Sequence, residues 1–184
     1  MNSRPVNLTL YPSIQRAVEV IEVGWSWHAA HTLTLAYVVK ANIRELRIPA
    51  LRPARRTDRL WEHTCFEAFI QVSGRSAYYE LNFSPSSEWA AYAFRGYRDG
   101  APIEDQDLVS EIIFRFDEDR IELTAMVRLL RLPLVRPGTN LRLGLSAVIE
   151  EQDGTLSYWA LKHPAENPDF HHPDSFTLEL ALPT

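Results

Sequence analysis

The run Ile121-Glu122-Leu123-Thr124-Ala125-Met126-Val127-Arg128-Leu129 sets Ile121, Leu123, Ala125, Val127 and Leu129 against Glu122, Thr124, Met126 and Arg128. A strand turns successive side chains to opposite faces, so this period of two marks a strand with one buried face. A slip of one residue would turn every apolar group of the set to water, so the pattern fixes which face is core. Leu141, Leu143, Leu145, Ala147 and Ile149 repeat it against Arg142, Gly144 and Ser146, and Phe176, Leu178, Leu180 and Leu182 repeat it near the end of the chain. These three sets are expected in the core.

Outward from them, the alternation recurs at Leu33–Tyr37–Val39, Phe66–Ala68–Ile70–Val72, Tyr79–Leu81–Phe83 and Ile112–Phe114–Phe116. Counting residues 18–27, 44–48, 88–95 and 155–161 as well, roughly eleven strands are expected. Asp117-Glu118-Asp119 and Gln152-Asp153-Gly154 read as turns between neighbouring strands. No long segment carries a 3.6-residue apolar stripe. Many half-apolar strands bury their faces most simply as two antiparallel sheets packed together. The expectation is therefore an all-β, two-sheet antiparallel β-sandwich, jelly-roll-like, forming a single domain over residues 1–184, with a closed barrel as the alternative.

The chain of 184 residues has 46% hydrophobic and 23% charged residues, values of a globular protein that exclude a disordered or fibrous one. Its net charge of −5 argues against nucleic-acid binding, which runs on basic patches. Cys65 is the single cysteine, so no internal disulfide can form. Neither a secretory apolar core nor an apolar run of membrane-spanning length is present, and the cytoplasm is the expected compartment. No membrane partner is expected. The loops at 49–61, 97–108 and 163–175 are long enough to be functional candidates.

The chemistry concentrates in Trp61-Glu62-His63-Thr64-Cys65-Phe66-Glu67-Ala68-Phe69 and in Tyr78-Tyr79-Glu80-Leu81-Asn82-Phe83-Ser84-Pro85-Ser86-Ser87-Glu88-Trp89-Ala90-Ala91-Tyr92. Tyr78, Glu80 and Asn82 share one face of a strand, and Glu67 lies mid-strand in the run before it. A mid-strand carboxylate must face water, a ligand or a partner, because burying it unpaired is costly. Carboxylate, amide and phenol groups ringed by Trp61, Trp89 and Tyr92 suit a polyol, whose hydroxyls need donors and acceptors in fixed directions. The plainer reading makes the aromatics core and the polar groups a solvated sheet face.

The strand 65–69, the segment Tyr79-Glu80-Leu81-Asn82-Phe83-Ser84-Pro85 with Trp89 and Tyr92, and the ending Tyr158-Trp159-Ala160-Leu161-Lys162-His163-Pro164 with Pro168-Asp169-Phe170-His171 resemble bacterial DOMON-like proteins, which are similar to family-nine carbohydrate-binding modules. The resemblance runs from about Val18 to the end. It implies a β-sandwich, a binding rather than a catalytic role, and sugar or haem as ligand classes. The residues chosen for a glycan or other small-molecule site rest on chemistry: Trp61, Glu67, Tyr78, Glu80, Asn82, Trp89 and Tyr92, with Trp159 or His163 opposite.

Other chemistries have less support in the sequence. His163, Asp169 and His171, with His172 and Asp174, are N and O donors for a metal ion, but their spacing matches no standard zinc pattern. Haem is disfavoured, since Met126 is the one methionine besides Met1 and no Cys-x-x-Cys-His occurs. No cofactor is therefore expected, a metal ion being the alternative. No Gly-x-Ser-x-Gly, phosphate loop or His-Glu-x-x-His is present, so an enzyme is not expected; Glu67 and Glu80 as a glycosidase pair are the alternative. His63 and Cys65 form a formal thiol–imidazole pair, and Arg44, Arg47, Arg52, Arg55, Arg56 and Arg59 form the basic cluster, read as a solvated loop or as forks for an acidic ligand.

Overall fold

The computed structural model describes residues 4–13, 17–29 and 31–184. Thirteen strands are present among them: β1 Val6–Asn7, β2 Thr9–Leu10, β3 Val18–Ala29, β4 Thr32–Ala41, β5 Cys65–Val72, β6 Tyr78–Phe83, β7 Trp89–Gly96, β8 Asp99–Pro102, β9 Val109–Phe116, β10 Arg120–Arg128, β11 Asn140–Glu150, β12 Leu156–Ala160 and β13 Leu178–Ala181. Every pairing between them is antiparallel. One sheet runs β1-β3-β4-β10-β9, the other β2-β12-β11-β5-β6-β7-β8, and β13 also pairs with β11. Both sheets are open at their edges, so the sandwich is present and the barrel is not. The helical turns among the described residues are four short 3-10 segments.

The alternation of β10 and β11 does what the sequence requires. Ile121, Leu123, Ala125 and Val127 are fully buried, as are Leu141, Leu143, Ala147 and Ile149, and they meet between the sheets with Phe66, Ala68, Ile70, Leu81 and Phe83. The turns at 117–119 and 152–154 join β9 to β10 and β11 to β12. Tyr37, wholly buried, donates its hydroxyl to the carbonyl of Glu67 at 2.7 Å and so ties the two sheets directly beneath a carboxylate that points the other way.

Three local expectations fail. Residues 44–48 are not a strand: Ile43–Glu45 is a 3-10 turn, followed by one bridge from Leu46 to Glu151. The 97–108 loop contains the short strand β8. Phe176 does not continue the inward set of Leu178, Leu180 and Leu182. It packs instead with Phe69 and Tyr78 on the outer face of the second sheet. The cause is a division of labour along β11: Ser146–Glu150 pair with β12, and Asn140–Leu143 pair with β13. Between those partners the chain leaves as residues 161–177 and crosses the sheet's outer face. Gly144 stands under the crossing, where a Cβ would come within 2.7 Å of the Phe176 ring.

Candidate functional site

The outer face of β5, β6 and β7 follows from register. Glu67 pairs with Asn82, Phe69 with Glu80 and Gln71 with Tyr78; Glu80 in turn pairs with Tyr92 and Tyr78 with Phe94. All of these therefore stand on one side, opposite the core side chains Phe66, Ala68, Leu81 and Phe83. Two loops build walls on this face. The loop before β5 brings Trp61 to the rim, 39% exposed and edge-on to Tyr92 at 5.8 Å. The 161–177 segment brings Pro168, Phe170 and His171 from the other side. The result is a cleft of about 370 Å³ with Glu67, Phe69 and Glu80 on its floor and Trp61, Tyr92, Phe94, Tyr158 and Phe170 around it.

Each wall is held by named contacts. Arg56, 8% exposed at its side chain, grips Asp58 with both terminal nitrogens, at 2.8 and 3.2 Å, and Tyr92 donates to the same carboxylate at 2.6 Å. Those bonds hold the Asp58 carboxyl below its usual range, while burial and Asp58 push the Tyr92 phenol up. On the far side, Asp169 accepts from Tyr97 at 2.7 Å and from Arg98 at 2.9 Å, which keeps it ionised. The Arg98 backbone N–H donates to the Tyr78 hydroxyl at 3.1 Å, and that hydroxyl lies 2.9 Å from His171 Nδ1. The Nε2 edge of the His171 ring faces Glu80, whose Oε2 is 3.6 Å away. Burial, with Arg98 nearby, lowers His171 to about 4, so the ring is neutral near pH 7.

The two floor carboxylates are unusual. Glu67 is 3% exposed, and the hydrogen bond it receives is a long one, 3.4 Å from the Ser146 hydroxyl. Burial first, and then the neighbouring Glu80, push its carboxyl well above the usual range. Glu80 is raised by burial as well, although the Asn82 amide, donating to it at 2.8 Å, and Arg98 pull it back. Desolvation disfavours a charged carboxylate, and a second carboxylate beside it adds to the cost.

Of the residues expected at a site, Trp61, Glu67, Glu80 and Tyr92 line the cleft, and Tyr78 and Asn82 lie beneath it on the same face. Two do not belong. Trp89 pairs with Phe83 and faces the core at 4% exposure. Tyr92 is three residues further along β7, and positions three apart on a strand point to opposite sides. Trp159 pairs with the inward Ala147, is also core, and donates its indole N–H to Ser157 at 3.1 Å. Its neighbour Tyr158 takes the outer face instead. His163 is outside the cleft: its Nε2 meets the Thr9 carbonyl at 2.8 Å and its ring lies 6.3 Å from that of Phe170.

Nor do His163, Asp169 and His171 converge as metal ligands; no group of three His, Cys, Asp or Glu side chains among the described residues does. Cys65 is buried, its thiol pushed up by burial and the two glutamates, and His63 turns away to Glu150 at 2.8 Å. The arginine loop is largely paired within itself and with the sheet: Arg47 with Glu150 and Arg55 with Glu88, at 2.8 and 2.9 Å, and Arg59 with Glu62.

Phe94, Arg98, Tyr158 and Phe170 line the cleft without having been expected there. Phe94 follows Tyr92 by two on the same strand, and Tyr158 faces outward once the 152–154 hairpin fixes the register against Ile149. Both signals were in the alternation.

No protein-family model matches the sequence, and no curated protein matches it. Solved structures share the fold. A Bacteroides uniformis protein provisionally described as carbohydrate-binding superposes with a TM-score of 0.70 at 17% identity, over 97% of this chain and 84% of that one. A family-nine carbohydrate-binding module from Caldicellulosiruptor kristjanssonii, in complex with cellotriose, superposes with a TM-score of 0.58 at 12% identity, over 98% and 82%. The expected similarity to that module family is thus present in the architecture.

Proposed function

We propose that the protein is a non-catalytic carbohydrate-binding module that holds a sugar or related polyol in the cleft over β5, β6 and β7. The observation that carries the reading is the meeting of aromatic rings from two loops over a floor of carboxylates, with an imidazole and a guanidinium at its side. A pyranose presents a weakly apolar C–H face and a rim of hydroxyls. The first suits Trp61, Tyr92, Phe94 and Phe170, and the second suits Glu67, Glu80, Arg98 and His171. The sugar-binding descriptions of proteins with this fold support the same class of ligand. With each hydrogen bond worth about 0.5–1.5 kcal/mol net of water, the affinity expected is micromolar to millimolar, roughly −8 to −4 kcal/mol.

One observation favours a second reading. A carboxyl raised by burial in a cleft is what a glycosidase acid requires, and Glu67 has one. A glycosidase pair, however, flanks the scissile bond from two sides. Glu67 and Glu80 are diagonal neighbours on one sheet face, so both approach a ligand from below. Binding is therefore the better reading.

Titration calorimetry against mono- and oligosaccharides, including glucose and cello-oligosaccharides, tests it, with aryl glycosides run in parallel for hydrolysis. Saturable heats without released aryl alcohol are expected. Hydrolysis that is lost in Glu67→Gln would establish the enzyme, and the absence of heat for every sugar at millimolar concentration would end the binding reading.

A further inference from the structure

The charges around the cleft do not balance. Arg98 is taken by Asp169 at 2.9 Å. His171 is neutral near pH 7. Arg56 is taken by Asp58. Glu67 and Glu80 have no cationic partner within ion-pair distance among the described residues except that neutral imidazole, at 3.6 Å from Glu80. Asn82, between them on the same face, is fully buried; its amide nitrogen serves Glu80 and its Oδ1 has no hydrogen-bond partner. The floor is thus a surplus of acceptors with too few donors, in a place where an unpaired charge is costly. Above it stand Trp61, Tyr92, Phe94, Tyr158 and Phe170, whose ring faces attract a cation.

We propose that the floor of the cleft is an ammonium subsite, and that the preferred ligand is an amino sugar whose free amine is received by Glu67 and Glu80. The inference rests on the carbohydrate reading and narrows it. A protonated amine has three donors and one positive charge; it satisfies both carboxylates at once and removes the repulsion between them. An N-acetylated sugar has a single amide donor, no charge and added bulk, and a neutral sugar has hydroxyls but no positive charge to offset an ionised floor carboxylate. Binding the ammonium must also ionise whatever fraction of the floor carboxyls is protonated. Of the other titratable groups facing them, Arg98, Asp169 and Asp58 are already charged and paired, and His171, Tyr78, Tyr92, the neighbouring Cys65 and, from beneath, Tyr37 are neutral, the thiol and the phenols held up by burial. Protons released on binding therefore come from Glu67 and Glu80.

Calorimetry of the wild-type chain slightly below neutral pH, in two buffers of different ionisation enthalpy, separates the outcomes. The probes are 2-amino-2-deoxyglucose, its N-acetyl derivative, glucose and ethanolamine. The expected result is an amino sugar bound at least about tenfold more tightly than glucose or the N-acetyl sugar, the scale of a charge-assisted contact, with net proton release. In Glu67→Gln and Glu80→Gln that ratio should fall towards one. Equal affinities for all three sugars, without proton release, would overturn the ammonium subsite and leave the sugar site standing. Ethanolamine bound as tightly as the amino sugar, with glucose and the N-acetyl sugar silent, would keep the ammonium subsite and overturn the carbohydrate reading. Silence from all four probes at millimolar concentration would overturn both.

Discussion

Removing a tryptophan from this protein should have one of two distinct consequences, and Trp89 and Trp61 separate them. Trp89 begins β7 with its ring between the sheets at 4% exposure, while its backbone accepts from Thr57 N–H at 2.8 Å and donates to the Arg55 carbonyl at 3.0 Å. Trp89→Ala keeps those backbone bonds and empties the space of an indole. The lost transfer energy plus the cavity costs about 3–5 kcal/mol. For a chain of this size each kcal/mol moves the midpoint by about 2–4 °C, so the melting temperature should drop by about 6–20 °C. Trp61 is 39% exposed and has one ring neighbour, Tyr92. Trp61→Ala should cost about 1 kcal/mol or less of stability. It should remove a stacking surface worth about 1–2 kcal/mol to a ligand, a weakening of roughly 5- to 30-fold. Thermal unfolding followed by circular dichroism, and sugar titration well below both midpoints, read the two effects. A Trp89→Ala protein that melts within about 2 °C of wild type yet binds nothing would refute the assignment of that ring to the core.

Three further outcomes follow from the same contacts. Glu67→Gln should raise the melting temperature at neutral pH: a carboxyl raised by folding stabilises below its unfolded value of 4.5 and loses that contribution as pH rises, so the penalty is present at pH 7 and absent in the amide; a lower midpoint at pH 7 than wild type would contradict this. His171 has the opposite sign: folded at about 4 against an unfolded 6.5, it contributes fully above 6.5 and loses up to about 3 kcal/mol as pH falls towards 4, a dependence that His171→Gln should flatten in urea titrations across that window. Gly144→Ala should push Phe176 off the sheet at a cost of about 1–3 kcal/mol and raise the protease sensitivity of residues 161–177, whereas a variant as stable as wild type would show that the ring yields freely.

The fold was legible because period two survives wherever one face is core, as in Ile121–Leu129 and Leu141–Ile149. The floor of the cleft was legible for the same reason, since Glu67, Glu80 and Asn82 interrupt apolar strands with groups that burial penalises. The two tryptophan errors have one physical source. Neighbours in sequence stand on opposite faces of a strand, and parity places Trp89 with Ala91 while register sets Trp159 opposite Ala147, both inward. The walls contributed by Arg98, Pro168 and Phe170 depend on where two loops cross the sheet. That path is set by the split pairing of β11 and by Phe176 over Gly144, long-range facts with no local pattern to announce them.

The five tryptophans provide the most direct test of the cleft. Trp25, Trp27, Trp89 and Trp159 all pack against or within the core between the sheets, and Trp61 stands at the rim of the cleft. In a nitrogen–proton correlation spectrum each indole N–H gives its own signal. On titration with a sugar that binds, the Trp61 signal should shift saturably, with Trp89 and Trp159 unmoved and the Trp61 peak identified by its loss in Trp61→Phe. Saturable binding that moves the Trp89 or Trp159 signal and leaves Trp61 in place would contradict the account.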